Sequence, residues 1–227
     1  MKTVLLKLSG EILANNNATL ARSIMQQIKQ LKATHQFNIV IGGGNFFRGA
    51  KEGKQLGLQQ GSADTVGMLA TIMNGIILRD YAEQEGLPFI MLSSYDIPGI
   101  VARIDQALIT QAKQQGALII FVGGTGNPFF STDTAAIIRG LQVEAKEVWK
   151  ATNVDGVYDE DPAHNKAAKL IKQISHAEAL SRSLKILDGT ALALAQQHSL
   201  PIRVFNMNTP EALRKAAGNA DFGSTIQ

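Results

Sequence analysis

The stretch Gly-Gly-Thr-Gly-Asn-Pro-Phe-Phe-Ser-Thr-Asp-Thr, residues 123–134, follows an apolar run and leads into an apolar segment of helical period. Glycines lack a Cβ, so the backbone of this segment can take unusual φ values and bring its N–H groups close to a ligand. The Ser-Thr-Asp at 131–133 stands at the predicted helix start, where hydroxyls cap free N–H groups and the dipole attracts an anion. The stretch therefore predicts a strand-to-helix connection, which either binds phosphate or is only a tight, well-capped turn.

Outward from this stretch, short β-rich apolar runs alternate with segments in which apolar residues recur every three or four positions. The predicted strands are 3–8, 37–41, 89–92, 117–122, 146–152 and 202–206. The predicted helices are 19–34, 62–85, 99–115, 132–141, 176–181, 188–198 and 210–217. This alternation predicts an α/β fold with a mainly parallel sheet covered on both faces. Ligands of such sheets gather beyond the carboxyl ends of the strands, which here carry unusual sequence at 7–10, 42–49 and 123–133.

Composition is that of an ordinary globular chain of 227 residues, of which 45% are hydrophobic. The 22 basic and 19 acidic residues are scattered and leave a net charge of +3, which favours small anions over nucleic acid as partners. Cysteine is absent, which excludes disulfides and thiolate metal sites and is compatible with the cytoplasm. The sequence shows no signal-peptide core and no unbroken apolar run near the ~20 residues of a membrane span. We therefore expect a soluble cytoplasmic protein with no membrane partner.

Two familiar phosphate-binding motifs are approached but not completed. Gly44-Asn-Phe-Phe-Arg-Gly49 is followed by Ala50, with Lys51 one place too late for a Walker A loop. Neither glycine-rich segment supplies the third glycine of a dinucleotide fingerprint. A P-loop NTPase and a Rossmann dehydrogenase are both disfavoured.

Four charged residues are candidates for a phosphate site, and each has a plainer explanation. Lys7 lies in a strand expected to be buried, so it either meets a ligand phosphate or reaches the rim or a structural carboxylate. Arg48 could grip the same phosphate with its guanidinium, or be an ordinary surface residue. Asp64 and Asp133 fall at predicted helix starts, where a first-turn acid is favoured by the dipole alone.

Other residues have structural explanations. The apolar side chains at 68, 69, 72, 73, 76 and 77 share helical spacing and are expected in the core. The four histidines share no metal-ligand spacing, and no serine or threonine is placed for a hydrolase triad. Asp188 precedes an apolar helical segment and is predicted to be its N-cap.

Six ordered segments together resemble the bacterial uridylate (UMP) kinases of the amino acid kinase superfamily. These are 5–11 (LLKLSGE), 41–49 (IGGGNFFRG), 67–75 (GMLATIMNG), 124–130 (GTGNPFF), 150–158 (KATNVDGVY) and 201–208 (PIRVFNMN). The resemblance covers nearly the whole chain. It implies a three-layer αβα sandwich, transfer of a phosphoryl group from ATP to UMP, Mg²⁺ as cofactor and a homohexamer. It also implies one domain over 1–227, with 1–145 mainly for UMP and phosphoryl transfer and 146–227 mainly for ATP.

The resemblance assigns roles by position. The ATP phosphate side comprises Lys7, Ser9, Gly10, Gly44 and Arg48, and the adenosine side comprises Thr152, Tyr158 and Asp161. The UMP side comprises Gly43, Asp64, Thr125, Gly126, Asn127, Pro128, Phe129, Phe130, Ser131 and Thr132. Asp133 is the acid that orders the catalytic cations, and Lys7, Arg48 and Asp133 form the catalytic set. No dedicated protein ligands for a metal are expected, because Mg²⁺ is held mainly by ATP oxygens and water.

The residues suit this chemistry, because a nucleoside monophosphate is already anionic at neutral pH and needs no general base. The family's glycine-rich insertion is reduced here to Asn15-Asn16-Asn17, which puts GTP activation in doubt; GTP and UTP remain candidate effectors. Ala63-Asp64-Thr65-Val66 keeps the family's acid in altered surroundings, Ser131 replaces a threonine, and Asn153 replaces a lysine. Two rival functions stay open: a kinase for acetylglutamate, carbamate or aspartate, and a non-catalytic nucleotide or oxyanion binder on the same fold.

Overall fold

The computed structural model of the chain describes residues 1–16, 18–184 and 186–227. The strands of the described residues are β1 (Lys2–Leu8), β2 (His35–Ile41), β3 (Phe89–Ser93), β4 (Ala102–Arg103), β5 (Leu118–Val122), β6 (Glu147–Thr152), β7 (Val157–Tyr158), β8 (Leu170–Ile171), β9 (Gln173–Ile174), β10 (Ile202–Asn206) and β11 (Ser224–Ile226). The α-helices are α1 (Ala18–Leu31), α2 (Gln60–Gln84), α3 (Gln106–Gln114), α4 (Thr132–Gln142), α5 (His176–Ser181), α6 (Gly189–Gln197) and α7 (Ala212–Gly218). A 3₁₀ helix spans Gly10–Asn16, and a π-helical turn spans Gly49–Gly53.

The central sheet has nine strands in the described chain, in the order β4-β3-β5-β2-β1-β6-β10-β11-β9. Its strand pairs are parallel except for β10 with β11. After β1 the chain builds outward through β2, and it later returns to the other side of β1 with β6. The strand order therefore reverses around β1, and the crevice at the carboxyl ends there is the expected ligand site.

The two faces of the sheet carry separate apolar layers. Alternate residues of β1 point to opposite faces, so Val4 joins the layer that includes residues of α1 and α7, and Leu5 joins the layer that includes residues of α4 and α6. This gives the predicted three-layer αβα arrangement. By the same alternation Lys7 lies on the face of Leu5, the face that α4 covers.

The six long predicted strands are confirmed to within two residues, because each is a short run rich in β-branched and other apolar residues. The predicted helix at 99–115 is wrong in its first half. Residues 97–101 form a tight bridge, β4 follows, and α3 begins only at Gln106, where Asp105 caps it by accepting from the N–H groups of Ala107 and Leu108. The short strands β7 and β8 pair with each other across residues 159–169.

Helix α2 also departs from expectation in two ways. It begins at Gln60, so Asp64 lies in its second turn and is not a first-turn acid. Leu69 and Met73, predicted to be core, are 44% and 50% exposed. The apolar residues of this 25-residue helix extend around more of its surface than the side that packs against the sheet.

The length and apolar character of α2 also satisfy the criteria for a membrane span. Two polar side chains of the helix, Thr71 and Asn74, are fully buried against the rest of the protein. A helix that buries hydrogen-bonded polar groups inside the fold has the pattern of a core helix.

Candidate active site

Two glycine-rich segments meet beyond the carboxyl ends of β2 and β5, and α2 fixes both. We name residues 42–49 the first elbow and residues 123–131 the second elbow. The amide of Asn74 donates to the Gly42 carbonyl at 2.7 Å and exchanges two hydrogen bonds, of 2.7 and 3.1 Å, with the amide of Asn45. The Thr71 hydroxyl accepts from the Gly123 N–H at 2.7 Å. One helix therefore sets the separation of the two elbows.

Glycine is required at particular points of these elbows. Gly123, Gly124 and Gly126 have φ of +76°, +57° and +81°, which is the left-handed conformation that glycine adopts without a steric penalty. A Cβ on Gly43 would come within 2.6 Å of the Gly67 carbonyl oxygen, so only glycine lets the first elbow approach α2 this closely.

Lys7, Asp133 and Lys150 form a charged cluster between the elbows and β6, which we call the Asp133 cluster. The Asp133 carboxylate lies 2.8 Å from the Lys7 ammonium and 2.6 Å from that of Lys150. Lys7 and Lys150 are register partners on β1 and β6, so their side chains emerge side by side on the face that α4 covers. The three side chains are only 12%, 14% and 13% exposed.

The electrostatics of this cluster follow from its burial and its charge count. Burial raises the pKa of Asp133, but the ammonium groups of Lys7 and Lys150 outweigh it and hold that pKa below its ordinary value. Burial also lowers the pKa of Lys150, against the opposing effect of Asp133. Two cations share one carboxylate, so the three side chains of the cluster carry one surplus positive charge that an anion could neutralise, although the Asp188 carboxylate also acts on Lys150 and raises its pKa.

Sequence reasoning missed Lys150. Its signal is the one that identified Lys7, a lysine inside a β-rich run. Lys150 also donates to the Ile186 carbonyl, which ties the cluster to the segment before α6.

Asp188 supports the cluster from α6. It caps this helix by accepting from the Ala191 N–H at 2.9 Å, which confirms the sequence prediction. It also accepts from the hydroxyls of Ser131 and Thr134, the latter at 2.9 Å. Because Ser131 is the N-cap of α4, these bonds fix the turn that carries Asp133.

A smaller cavity of about 190 Å³ lies between the first elbow, α2 and the second elbow. Of the residues assigned to the UMP side, its lining contains Gly43, Asp64, Phe130, Ser131 and Thr132. Gly44, assigned to the ATP side, lines it as well.

Asp64 and the rest of the second elbow form one wall beside this smaller cavity. Asp64 accepts from the Phe129 N–H at 2.8 Å and from the Gln60 amide at 2.6 Å. Thr125 bonds within the elbow, donating to the Asn127 carbonyl at 2.8 Å. Of the other assigned residues, Gly126, Asn127, Pro128 and Phe129 complete this wall without lining the cavity.

A larger cavity of about 490 Å³ adjoins the cluster. Thr152, Tyr158 and Asp161, assigned to adenosine, all line it. Lys150 lines it too and so links the larger cavity to the Asp133 cluster. Asp161 accepts from the Ala163 N–H at 2.9 Å.

The remaining predicted residues lie at the mouth of the first elbow. Ser9 accepts from the Glu11 N–H at 3.3 Å, and Gly10 packs against the Asn45 side chain. Arg48 donates to the Gly44 carbonyl at 3.1 Å and pairs with Glu11. An arriving anion would have to displace this exposed pair to engage the guanidinium.

The described residues contain no group of three or more His, Cys, Asp or Glu side chains placed to hold a metal ion. Both oxygens of Asp133 already face ammonium groups. A magnesium ion fits this site as one held mainly by phosphate oxygens and water.

Comparison with known proteins gives a consistent result. The model of the amino acid kinase family matches residues 2–206. The uridylate kinase of Psychromonas ingrahamii is 42% identical, with 100% of this chain and 93% of that protein covered. The uridylate kinase of Haemophilus influenzae is also 42% identical, over 99% of this chain and 97% of that protein.

Solved structures of UMP kinases are also similar to this chain. The UMP kinase of Ureaplasma parvum superposes with a TM-score of 0.93 at 32% identity, covering 100% of this chain and 98% of that one. The UMP kinase of Bacillus anthracis gives 0.94 at 30% identity, covering 100% and 96%.

Proposed function

Because the chain belongs to the amino acid kinase family and within it to the uridylate kinases, we propose that it transfers the γ-phosphoryl group of ATP to UMP, giving ADP and UDP. One observation carries the proposal. A cluster of two lysines that share one carboxylate adjoins a large cavity, which Lys150 lines, and a small cavity, which Thr132 beside Asp133 lines, and this suits an anion that passes from one to the other.

The larger cavity is the proposed ATP site. Its volume suits a nucleoside, and Thr152, Tyr158 and Asp161 offer a hydroxyl, an aromatic ring and a carboxylate for the adenosine. Lys150 also lines this cavity and is then the cation through which the phosphate chain reaches the Asp133 cluster.

The smaller cavity is the proposed site for the UMP phosphate. It is lined by glycine backbone and by the α4 cap, which supply N–H donors to an anion. Asp64 on its wall is placed to accept from a ribose hydroxyl. No side chain has to remove a proton, since the second pKa of a phosphate monoester is ~6.

The chemical step is an in-line displacement. The UMP phosphate oxygen attacks the γ-phosphorus as the bond to the β-bridging oxygen of ATP breaks, and that oxygen leaves on ADP. Lys7 and Lys150 neutralise charge on the transferred group, and Asp133 keeps the two ammonium groups together and aimed at one point. A bound Mg²⁺ would add further charge neutralisation beside the two lysines.

The quaternary structure and regulation are also part of the proposal. The exposed apolar side chains Val66, Leu69 and Met73 lie on one face of α2, and their burial between subunits would support the expected homohexamer. GTP and UTP are the candidate effectors. The shortened connection at 15–17, which bears on GTP, includes Asn17, outside the described residues. Cytoplasmic location stays a prediction.

The test measures ADP release from ATP and Mg²⁺ with UMP, CMP, dUMP, acetylglutamate and carbamate as separate acceptors, with and without GTP. Turnover with UMP and none with the amino acid and carbamate acceptors supports the proposal. Turnover with acetylglutamate or carbamate would replace it with the rival kinase. ATP binding without turnover on any acceptor would instead favour the non-catalytic binder.

A further inference from the structure

Arg139, on the inner face of α4, is a buried cation that the proposed reaction does not use. It is 7% exposed. Its guanidinium donates to the Gln142 side chain at 2.7 Å and to the Ser94 hydroxyl at 2.9 Å, and lies 5.9 Å from the centre of the Phe121 ring. None of the carboxylates in the described part of the chain forms an ion pair with it.

Burying this cation costs free energy, because no carboxylate of the described residues offsets the loss of its hydration. Such a cost suggests that the charge has a functional role. Burial lowers the pKa of Arg139 to about 10. At pH 7 only about one molecule in a thousand would then lack the charge. The fold therefore keeps an unpaired positive charge behind the second elbow.

A hydrogen-bonded chain leads from this charge to the second elbow. The Ser94 hydroxyl accepts a hydrogen bond from Arg139 and donates one to the Gly124 carbonyl at 2.9 Å, while the Arg139 guanidinium itself lies 3.5 Å from that carbonyl. A carbonyl polarised in this way withdraws electrons from its amide, so the N–H on the other side of the peptide, that of Thr125, becomes a stronger donor. Gly124 also lines the smaller cavity.

We propose that Arg139 is a positioning residue for the acceptor nucleotide, acting through Ser94 on the peptide between Gly124 and Thr125. The inference rests on the proposed function, because it takes the smaller cavity and its wall as the UMP site. Arg139 holds the second elbow in the shape that fits the acceptor and puts positive potential behind it. It touches no reacting atom.

The test compares Arg139→Met and Ser94→Ala with the unmodified protein. The dissociation constant of UMP is measured by calorimetry. Steady-state kinetics gives kcat and the KM of each substrate, which is varied while the other substrate is held at saturation. Loss of a charge-assisted hydrogen bond should raise the dissociation constant of UMP and the KM for UMP about tenfold in either variant. The KM for ATP should stay unchanged. Because both residues act in one chain, the double variant should bind UMP no more weakly than Arg139→Met alone.

Arg203→Met is the matched control. Arg203 is equally buried, but it lies near the opposite edge of the sheet, where it pairs with Glu147 at 2.9 Å. Its loss should lower the melting temperature without moving KM for UMP. Arg139→Lys, which keeps the charge, should recover part of the lost affinity.

The inference fails if both Arg139→Met and Ser94→Ala bind UMP as tightly as the unmodified protein, or if their effects multiply in the double variant. If Arg139→Met does not fold, Ser94→Ala alone decides, since a serine-to-alanine change leaves the buried arginine in place. Failure of the proposed function is a separate result, because the unmodified protein would then show no turnover with UMP.

Discussion

Replacement of Lys150 by methionine tests the Asp133 cluster directly. Methionine keeps most of the side-chain volume and removes only the ammonium group. Two unit charges at 4 Å interact by about 4 kcal/mol at an effective dielectric constant of ~20. Part of this attraction to the Lys150 ammonium also stabilises the phosphates of bound ATP in the ground state. About 3 kcal/mol is then specific to the transition state, which corresponds to roughly a hundredfold in kcat.

The fold should survive this change. Asp133 keeps Lys7 at 2.8 Å, so the substitution leaves a neutral pair in place of a cluster with surplus charge. Steady-state kinetics with saturating ATP and UMP gives kcat, and thermal unfolding gives the melting temperature. Lys146→Met is the matched control, because Lys146 is an exposed lysine just before β6. If kcat of Lys150→Met stays within about threefold of the unmodified protein while the fold is intact, the lysine is structural and the reasoning is refuted.

Three further predictions concern other parts of the site and the fold. Lys7→Ala should lower kcat by on the order of a hundredfold or more, with the circular dichroism spectrum unchanged; near-normal turnover would remove Lys7 from the mechanism. Asn74→Ala should lower the free energy of unfolding by about 1–3 kcal/mol and raise KM for UMP, because the first elbow loses its buried tether; denaturant titration and kinetics check the two effects separately. Burial raises the pKa of Glu147, but its interactions with Lys2, the Trp149 indole and Arg203 lower the pKa by a larger amount, so the net shift is downward. The stability that this shift gives is present above the unfolded-state pKa and is lost as the pH falls through the lower folded-state pKa. Between about pH 5 and pH 3 the unfolding free energy of Glu147→Gln should therefore depend less on pH than that of the unmodified protein; parallel curves would contradict this.

The long strands were predictable because each is a local property of the chain, an apolar run flanked by polar residues. The short strands were not. β7 and β8 have two residues each, and their pairing depends on the return of the chain across residues 159–169. The misplaced start of α3 has a similar cause, since apolar residues at 97–101 match a helical period but form a bridged turn.

Candidate site residues were predictable where one segment carried both the structural and the chemical signal. Lys7 and Asp133 belong to this class. Lys150 carries the same signal as Lys7, a lysine inside a β-rich run, but its place beside Lys7 follows only from the insertion of β6 next to β1. Asp188 was predicted as a helix cap, which it is, but its bonds to the α4 turn join segments more than fifty residues apart.

The sheet topology explains why the site needs these distant contributions. β1 and β6 adjoin at the centre although they are far apart in sequence, so two lysines can emerge side by side only if both strands are buried in their final register. Their mutual repulsion would oppose that register without Asp133, which α4 brings over the same face. Asp133→Asn should consequently do more than either lysine substitution: it leaves two adjacent buried cations uncompensated and should reduce stability and kcat together. A cluster in which one carboxylate holds two ammonium groups together also has the charge surplus that a phosphoryl group in transit requires.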